Sequence, residues 1–199
     1  MSATGVIFLV LIGIIVALWL TVMKSYNRLV TLRRRYQNAY AQIDVQLQRR
    51  YDLIPNLVNS SKCYMAHEKE TLAAVMAARS QAQSAAQGAA ANPGDSQAMQ
   101  QAASAEAGLN GVLGRLLMVS EAYPELKADR SMNAVMEELR STENKVSFAR
   151  QAFNDAVTLY NTQREVFPSN LIATSFNFLG AELWRELRAE AREVPQVSF

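Results

Sequence analysis

His67 and Glu68 open the stretch "HEKET". It begins like a zinc-hydrolase helix, in which two histidines four residues apart share one face and the intervening glutamate acts as general base. Thr71 stands where the second histidine is needed, and His67 is the one histidine in the chain, so the metal reading fails. Glu68, Glu70, Glu137, Glu138 and Glu143 could pair as acid and base, but charges on helices ordinarily form a solvated face. Cys63, beside Tyr64, reads as a small filler rather than a nucleophile. There is no P-loop, no glycine-rich dinucleotide turn and no GxSxG elbow. The lone His67 has no ATP-binding region downstream that would suit a kinase. No catalytic residue, cofactor or metal is expected, and the protein is not expected to be an enzyme.

The elements that would position any such residues begin with an apolar one. Ser2 to Met23 carries no charge, and "VIFLVLIGIIVALWLTVM" approaches the roughly 20 apolar residues that cross a bilayer. A cleaved signal would want basic residues before the apolar run and a small-x-small site after it, and both are missing. The expectation is an uncleaved anchor including Val6, Leu11, Ile15, Trp19 and Met23. Lys24, Arg28, Arg33, Arg34 and Arg35 follow as a basic collar, which by the positive-inside tendency puts the N-terminus outside and the remaining chain in the cytoplasm. The same arginines could hold anionic headgroups, although topology alone explains them.

Lysine and arginine total 20 against 18 acidic residues among 199, a balance that excludes a dedicated nucleic-acid binder. A single cysteine forms no internal disulfide, which fits a reducing compartment or is uninformative.

Beyond the anchor the period is helical. Tyr36, Tyr40, Ile43, Leu47, Tyr51, Ile54, Val58, Met65, Leu72 and Met76 lay one apolar stripe along a long first helix, expected from Ser25 to about Ala86. Asn92-Pro93-Gly94 is the strong breaker in an alanine- and glutamine-rich region and reads as a hairpin tip, with Asp95 or Ser96 capping the next helix. That second helix stops near Pro124, and "YPELKAD" either turns the chain back or joins collinear helices. In the third helix Met132, Leu139, Val146, Phe153, Tyr160 and Phe167 recur every seven residues, as in a coiled-coil seam. Pro168 closes it, and "GAELWRELRAEARE" reads as a short amphipathic helix ended by Pro195. The expected organisation is an anchor over 1–23, a long-helix bundle over 24–167 and a C-terminal extended segment, short helix and tail over 168–199.

One stretch inside the first helix, "QLQRRYDLIPNLV", is unusual. Pro55 removes the donor to the Tyr51 carbonyl and crowds it, while the apolar stripe stays in phase across it. Either a continuous helix kinks there, the preferred arrangement, or Asp52 caps a new helix with Pro55 in its first turn. Arg49 and Arg50 lie beside the seam. Arg50 is expected to snorkel or to pair with a glutamate such as Glu143, or else to fix helix register.

"YNRLVTLRRRYQNAYAQIDVQLQRRYDLIPNLVNSSKCYMAHE", "STENKVSFARQAFNDAVTLYN", "FPSNLIA" and "EAREVPQVSF" resemble the LemA family of bacterial membrane proteins, over nearly the whole chain from Gly5. The resemblance implies a single-span inner-membrane protein with a short exterior N-terminus and a cytoplasmic antiparallel bundle. The family includes a magnetosome-membrane protein involved in forming membrane compartments, and the resemblance brings no established catalytic residue. The tip from Gln81 to Ala107 matches no motif of the family.

The fold expected is all-α: one transmembrane helix, then an elongated antiparallel bundle of three long helices plus a short C-terminal one. The shorter helices cannot cover the first fully, so Tyr36, Tyr40, Ile43, Leu72 and Met76 are the expected oligomer face. The leading functional expectation is a self-associating scaffold, a homo-oligomer that organises or shapes the inner membrane, with lipids and another membrane protein as candidate partners. The alternative is a monomeric adaptor docking a protease or signalling protein through the same face.

Overall fold

The computed structural model describes residues 3–185. Helix α1 (Ala3–Lys62) carries the apolar N-terminal stretch and continues without a break. It is followed by α2 (Lys69–Ala91), α3 (Ser96–Ser120), the single turn α4 (Pro124–Ala128), α5 (Arg130–Glu165) and α6 (Ser169–Ser175). No strand occurs among the described residues. At 1.5 Å per residue α1 is about 90 Å long.

The long first helix expected to Ala86 is two helices. The chain turns at Cys63–Glu68, where the Met65 amide donates to the Ser61 carbonyl at 2.9 Å and the fully buried Met65 plugs the corner. α2 then returns along α1: Arg79 meets Tyr51, and nearer the apolar end the Tyr40 hydroxyl reaches the Ala86 carbonyl at 3.4 Å. The second turn is the expected hairpin at Asn92-Pro93-Gly94. Gly94 has φ +89°, and a Cβ there would lie 2.8 Å from that of Ala181, so both backbone and packing require glycine. Asp95 is the N-cap of α3, accepting from the Ala98 amide at 2.9 Å. The alanines of this region are core: Ala82, Ala86, Ala89, Ala102 and Ala103 are buried, and their small side chains let α2 and α3 approach closely.

"YPELKAD" turns the chain back. Asp129 caps α5 through the Met132 amide at 2.9 Å, and the Tyr64 hydroxyl donates to the same carboxylate at 3.0 Å, tying the far end of α1 to the start of α5. Toward the apolar end the rings of Tyr36 and Tyr160 lie 5.1 Å apart, so α5 runs toward the apolar N-terminal stretch. The bundle is therefore up-down-up-down with four helices, α1 from Ser25 onward, α2, α3 and α5, rather than three.

Met132, Leu139, Val146, Phe153 and Tyr160 line its core, but Phe167 is 79% exposed and lies beyond the end of α5. Tyr36, Tyr40, Ile43 and Leu72 are buried within the single chain and Met76 is partly buried. The returning α2 supplies the cover that a second copy was expected to provide. α6 occupies residues expected to be extended. Beyond it, Phe178 to Arg185 is not helical and runs back along α1, through Tyr26 and Tyr40, and along α5, where the Tyr160 hydroxyl donates to the Leu179 carbonyl at 2.7 Å and Asn154 holds the backbone of Trp184. Gly180–Arg185 is thus not the start of a helix, and the remainder of that expectation, with Pro195, lies outside the described residues.

Candidate functional site

Two regions of α1 concentrate the features of functional interest. The first is the N-terminal stretch, long and apolar enough to cross a membrane. An 18-residue window in it has mean hydropathy 2.6, and none of it is buried in the protein. Val6 lies within α1, and Leu11, Ile15, Trp19 and Met23 are exposed along it. The Thr21 hydroxyl satisfies itself on the Ala17 carbonyl at 2.8 Å, as a polar group in an apolar helix must. Of the collar, Lys24, Arg28, Arg34 and Arg35 face outward. Arg33 differs: its guanidinium lies over the Phe178 ring, 5.0 Å from the centroid, and helps hold the returning C-terminal segment.

The second region surrounds Pro55, which lies inside the continuous helix. Because α1 is unbroken, Asp52 is no cap; it is exposed and accepts from the Gln48 side chain at 3.0 Å. The Tyr51 carbonyl, deprived of its donor by the proline ring, accepts instead from Nε of Arg79 on α2 at 2.6 Å.

One helical position away, Arg50 is buried and pairs with Glu106 of α3 at 3.1 Å, and it also donates to the Asn110 side chain. Glu143, its expected partner, is exposed. Arg49 pairs with Glu138 of α5 at the surface. Glu106 is 2% exposed; it also accepts from the Tyr51 hydroxyl and lies 3.6 Å from Arg150. The Arg150 guanidinium in turn stacks on Trp184 at 4.6 Å. The cluster joins α1, α3, α5 and the C-terminal segment around one carboxylate. Burial, reinforced by that carboxylate, raises the Tyr51 phenol well above its ordinary pKa. Tyr40 is raised chiefly by burial, then by Asp44 and Glu106.

Such a cluster penalises a shift of one helix along another. A buried carboxylate meeting a guanidinium and a phenol tolerates no sliding of α3 along α1, because a slip leaves charges unpaired in the core. Arg50 stands out beside the seam in the sequence, with Glu143 as its expected partner, whereas Glu106, Asn110, Arg79, Arg150 and Trp184 carry no periodic signal that would join them to it. The available signal was that Glu106 is the one charged residue between Ser96 and Gly114.

Of the residues weighed for chemistry, Cys63 and His67 are exposed in the turn between α1 and α2. Glu68 accepts from Thr71 and Tyr123, and Glu70, Glu137 and Glu143 face outward. Among the described residues no group of three or more His, Cys, Asp or Glu side chains could hold a metal.

The model of the LemA family matches residues 39–199, from the turn of α1 that follows the collar through the whole bundle. The chain belongs to the LemA family. Similar proteins include Magnetosome protein MamQ 1 and MamQ 2 of Paramagnetospirillum magneticum, each 25% identical over 187 residues, covering 86% of this chain and 69% of the relative. Magnetosome protein MamQ of Magnetospirillum gryphiswaldense is similar to the same extent. The LemA match includes both the Arg50–Glu106 cluster and the alanine-rich tip, whereas the span precedes it.

Proposed function

We propose that this LemA-family protein is a structural one: a scaffold, anchored in the bacterial inner membrane with its N-terminus outside, whose cytoplasmic bundle self-associates and organises or shapes the membrane. The observation that carries this reading is one unbroken helix. α1 is apolar and exposed over Ile7–Met23 and becomes the central buried element of the bundle from Leu29 to Val58. A bundle joined to its span without a hinge transmits its orientation to the bilayer. The collar of Lys24, Arg28, Arg34 and Arg35 supports the cytoplasmic placement, and the magnetosome naming of the MamQ relatives agrees with a role at a membrane.

Self-association draws on a different surface from the covered stripe. Phe148, Ala152, Asp155 and Leu159 follow the i, i+4, i+7, i+11 spacing along one outward face of α5. Phe148 is 73% exposed, and Leu159 and Val45 of α1 are exposed as well. Apolar side chains standing out on a bundle are natural subunit contacts. The adaptor reading moves to the same face, now with a different chain as occupant.

Site-directed cross-linking tests the choice. With Cys63→Ser as background, Phe148→Cys is expected to give a covalent dimer of this chain in native membranes. Absence of self-cross-links, with or without adducts to another protein, would count against the scaffold.

A further inference from the structure

The stretch "FPSNLIA" turns Ser169, Ile172 and Ala173 toward the core and leaves Phe167 and Leu171 outside it, and the structure places it at the blunt end of the bundle where α1 leaves the span. Tyr26 is three residues past Met23, about 4.5 Å along the helix axis. Its ring is 5.0 Å from that of Phe176 and 5.6 Å from that of Phe178. α5 reaches the same end, so the turn Val166–Pro168 and α6 lie beside the end of the span. There the chain presents Phe167, Leu171 and Phe176, each more than half exposed, with Val166 and Tyr26 beside them.

α6 has one face turned to the bundle and one turned out. Ser169 and Ala173, one turn apart, are buried against α1 and α5, and the Ser169 hydroxyl accepts from Gln163 at 2.6 Å. On the outer side Thr174 and Ser175 return their hydroxyl protons to the carbonyls of Asn170 and Leu171 at 3.0 and 2.8 Å. These outward polar groups therefore need no water, as suits a low-dielectric setting. Lys24 and Arg28 stand exposed on the adjoining turns of α1, and the nearby acid, Glu165, is paired with Arg164 at 3.3 Å.

We infer that Phe167, Leu171 and Phe176 form a second membrane contact, a wedge that enters the headgroup–acyl boundary of the leaflet the span exits and fixes the tilt of the bundle. The occupant is lipid because the patch is continuous with the span and flanked by cations complementary to anionic headgroups. This inference rests on the span reading given above.

The test uses the full chain in vesicles of phosphatidylethanolamine and phosphatidylglycerol, with the Cys63→Ser background and one environment-sensitive fluorophore at a time on Leu11→Cys, Leu171→Cys or Leu179→Cys. Leu179 is 71% exposed but is held by Tyr160 at the level of Tyr36, clear of the boundary. The label at Leu171 is expected to be blue-shifted and quenched by shallow spin-labelled lipid several-fold more than the label at Leu179, with deep quenching at Leu11. Equal quenching at Leu171 and Leu179, with Leu11 still deeply quenched, overturns the wedge alone. A blue shift at Leu171 without lipid quenching also overturns it and assigns the patch to protein. Loss of deep quenching at Leu11 overturns both the wedge and the span.

Discussion

Nε of Arg79 donates to the Tyr51 carbonyl at 2.6 Å, the one carbonyl in α1 whose helical donor is replaced by the Pro55 ring. A neighbouring helix thus supplies the hydrogen bond that the proline removes, and α1 crosses Pro55 unbroken. Arg79→Met is expected to destabilise the bundle by about 1.5–3 kcal/mol, the range for a bond to a charged group. In a Pro55→Ala background the alanine's backbone amide restores the helical donor, so the same change should cost less. Denaturant midpoints of the four combinations in detergent micelles give the coupling directly; strictly additive losses would show that the two residues act separately.

Glu106 governs a larger effect. Glu106→Leu leaves Arg50 buried without its carboxylate and the Tyr51 hydroxyl without its acceptor, an expected loss of about 3–5 kcal/mol. Adding Arg50→Met removes the stranded charge, so the double variant is expected to be more stable than Glu106→Leu alone. Chemical unfolding followed by helical circular dichroism checks the order, and a double variant weaker than the single one would mean that the pair does not act as a unit.

Much of this was readable in the residues, for identifiable reasons. The seven-residue recurrence from Met132 to Tyr160 is a core seam because α5 faces α1 along its length, and Asp95 and Gly94 carry conventional turn chemistry. The turn at Cys63–Glu68 was hidden because it contains neither Pro nor Gly, and because Val58, Met65 and Leu72 keep their spacing across it while being buried on both sides. That hidden turn created the apparent surplus of apolar surface at Tyr36, Tyr40 and Ile43. Phe167 extended the seam by arithmetic, but the helix ends at Glu165. Glu106 gave no periodic signal; its role follows from which helices the two turns bring together.

The buried phenols make stability fall at high pH. Tyr40 and Tyr51 have folded pKa values raised above the ordinary value of about 10, chiefly by burial, so folding favours the protonated form. Their contribution is fully present below about pH 10 and is lost as pH rises beyond it, when the unfolded phenols ionise first. Tyr40→Phe, which gives up one long hydrogen bond to the Ala86 carbonyl, is expected to cost about 0.5–1.5 kcal/mol near neutrality and to flatten the decline above pH 10. Unfolding midpoints between pH 8 and 11 check both statements, and an unchanged alkaline slope in the variant would contradict the second.

Cys63, exposed in the turn between α1 and α2, is a natural reporter of topology. A membrane-impermeant maleimide is expected to leave it unlabelled in intact spheroplasts and to label it in inverted membrane vesicles. Labelling from outside would reverse the orientation inferred from the basic collar.

The mass of the full-length protein, extracted from its membrane with lipid and measured by light scattering, tests the scaffold most directly. The expected result is a discrete multiple of the 22.1 kDa chain that falls when Phe148→Glu is introduced while helical content stays unchanged. A single-chain mass for the unaltered protein would contradict it.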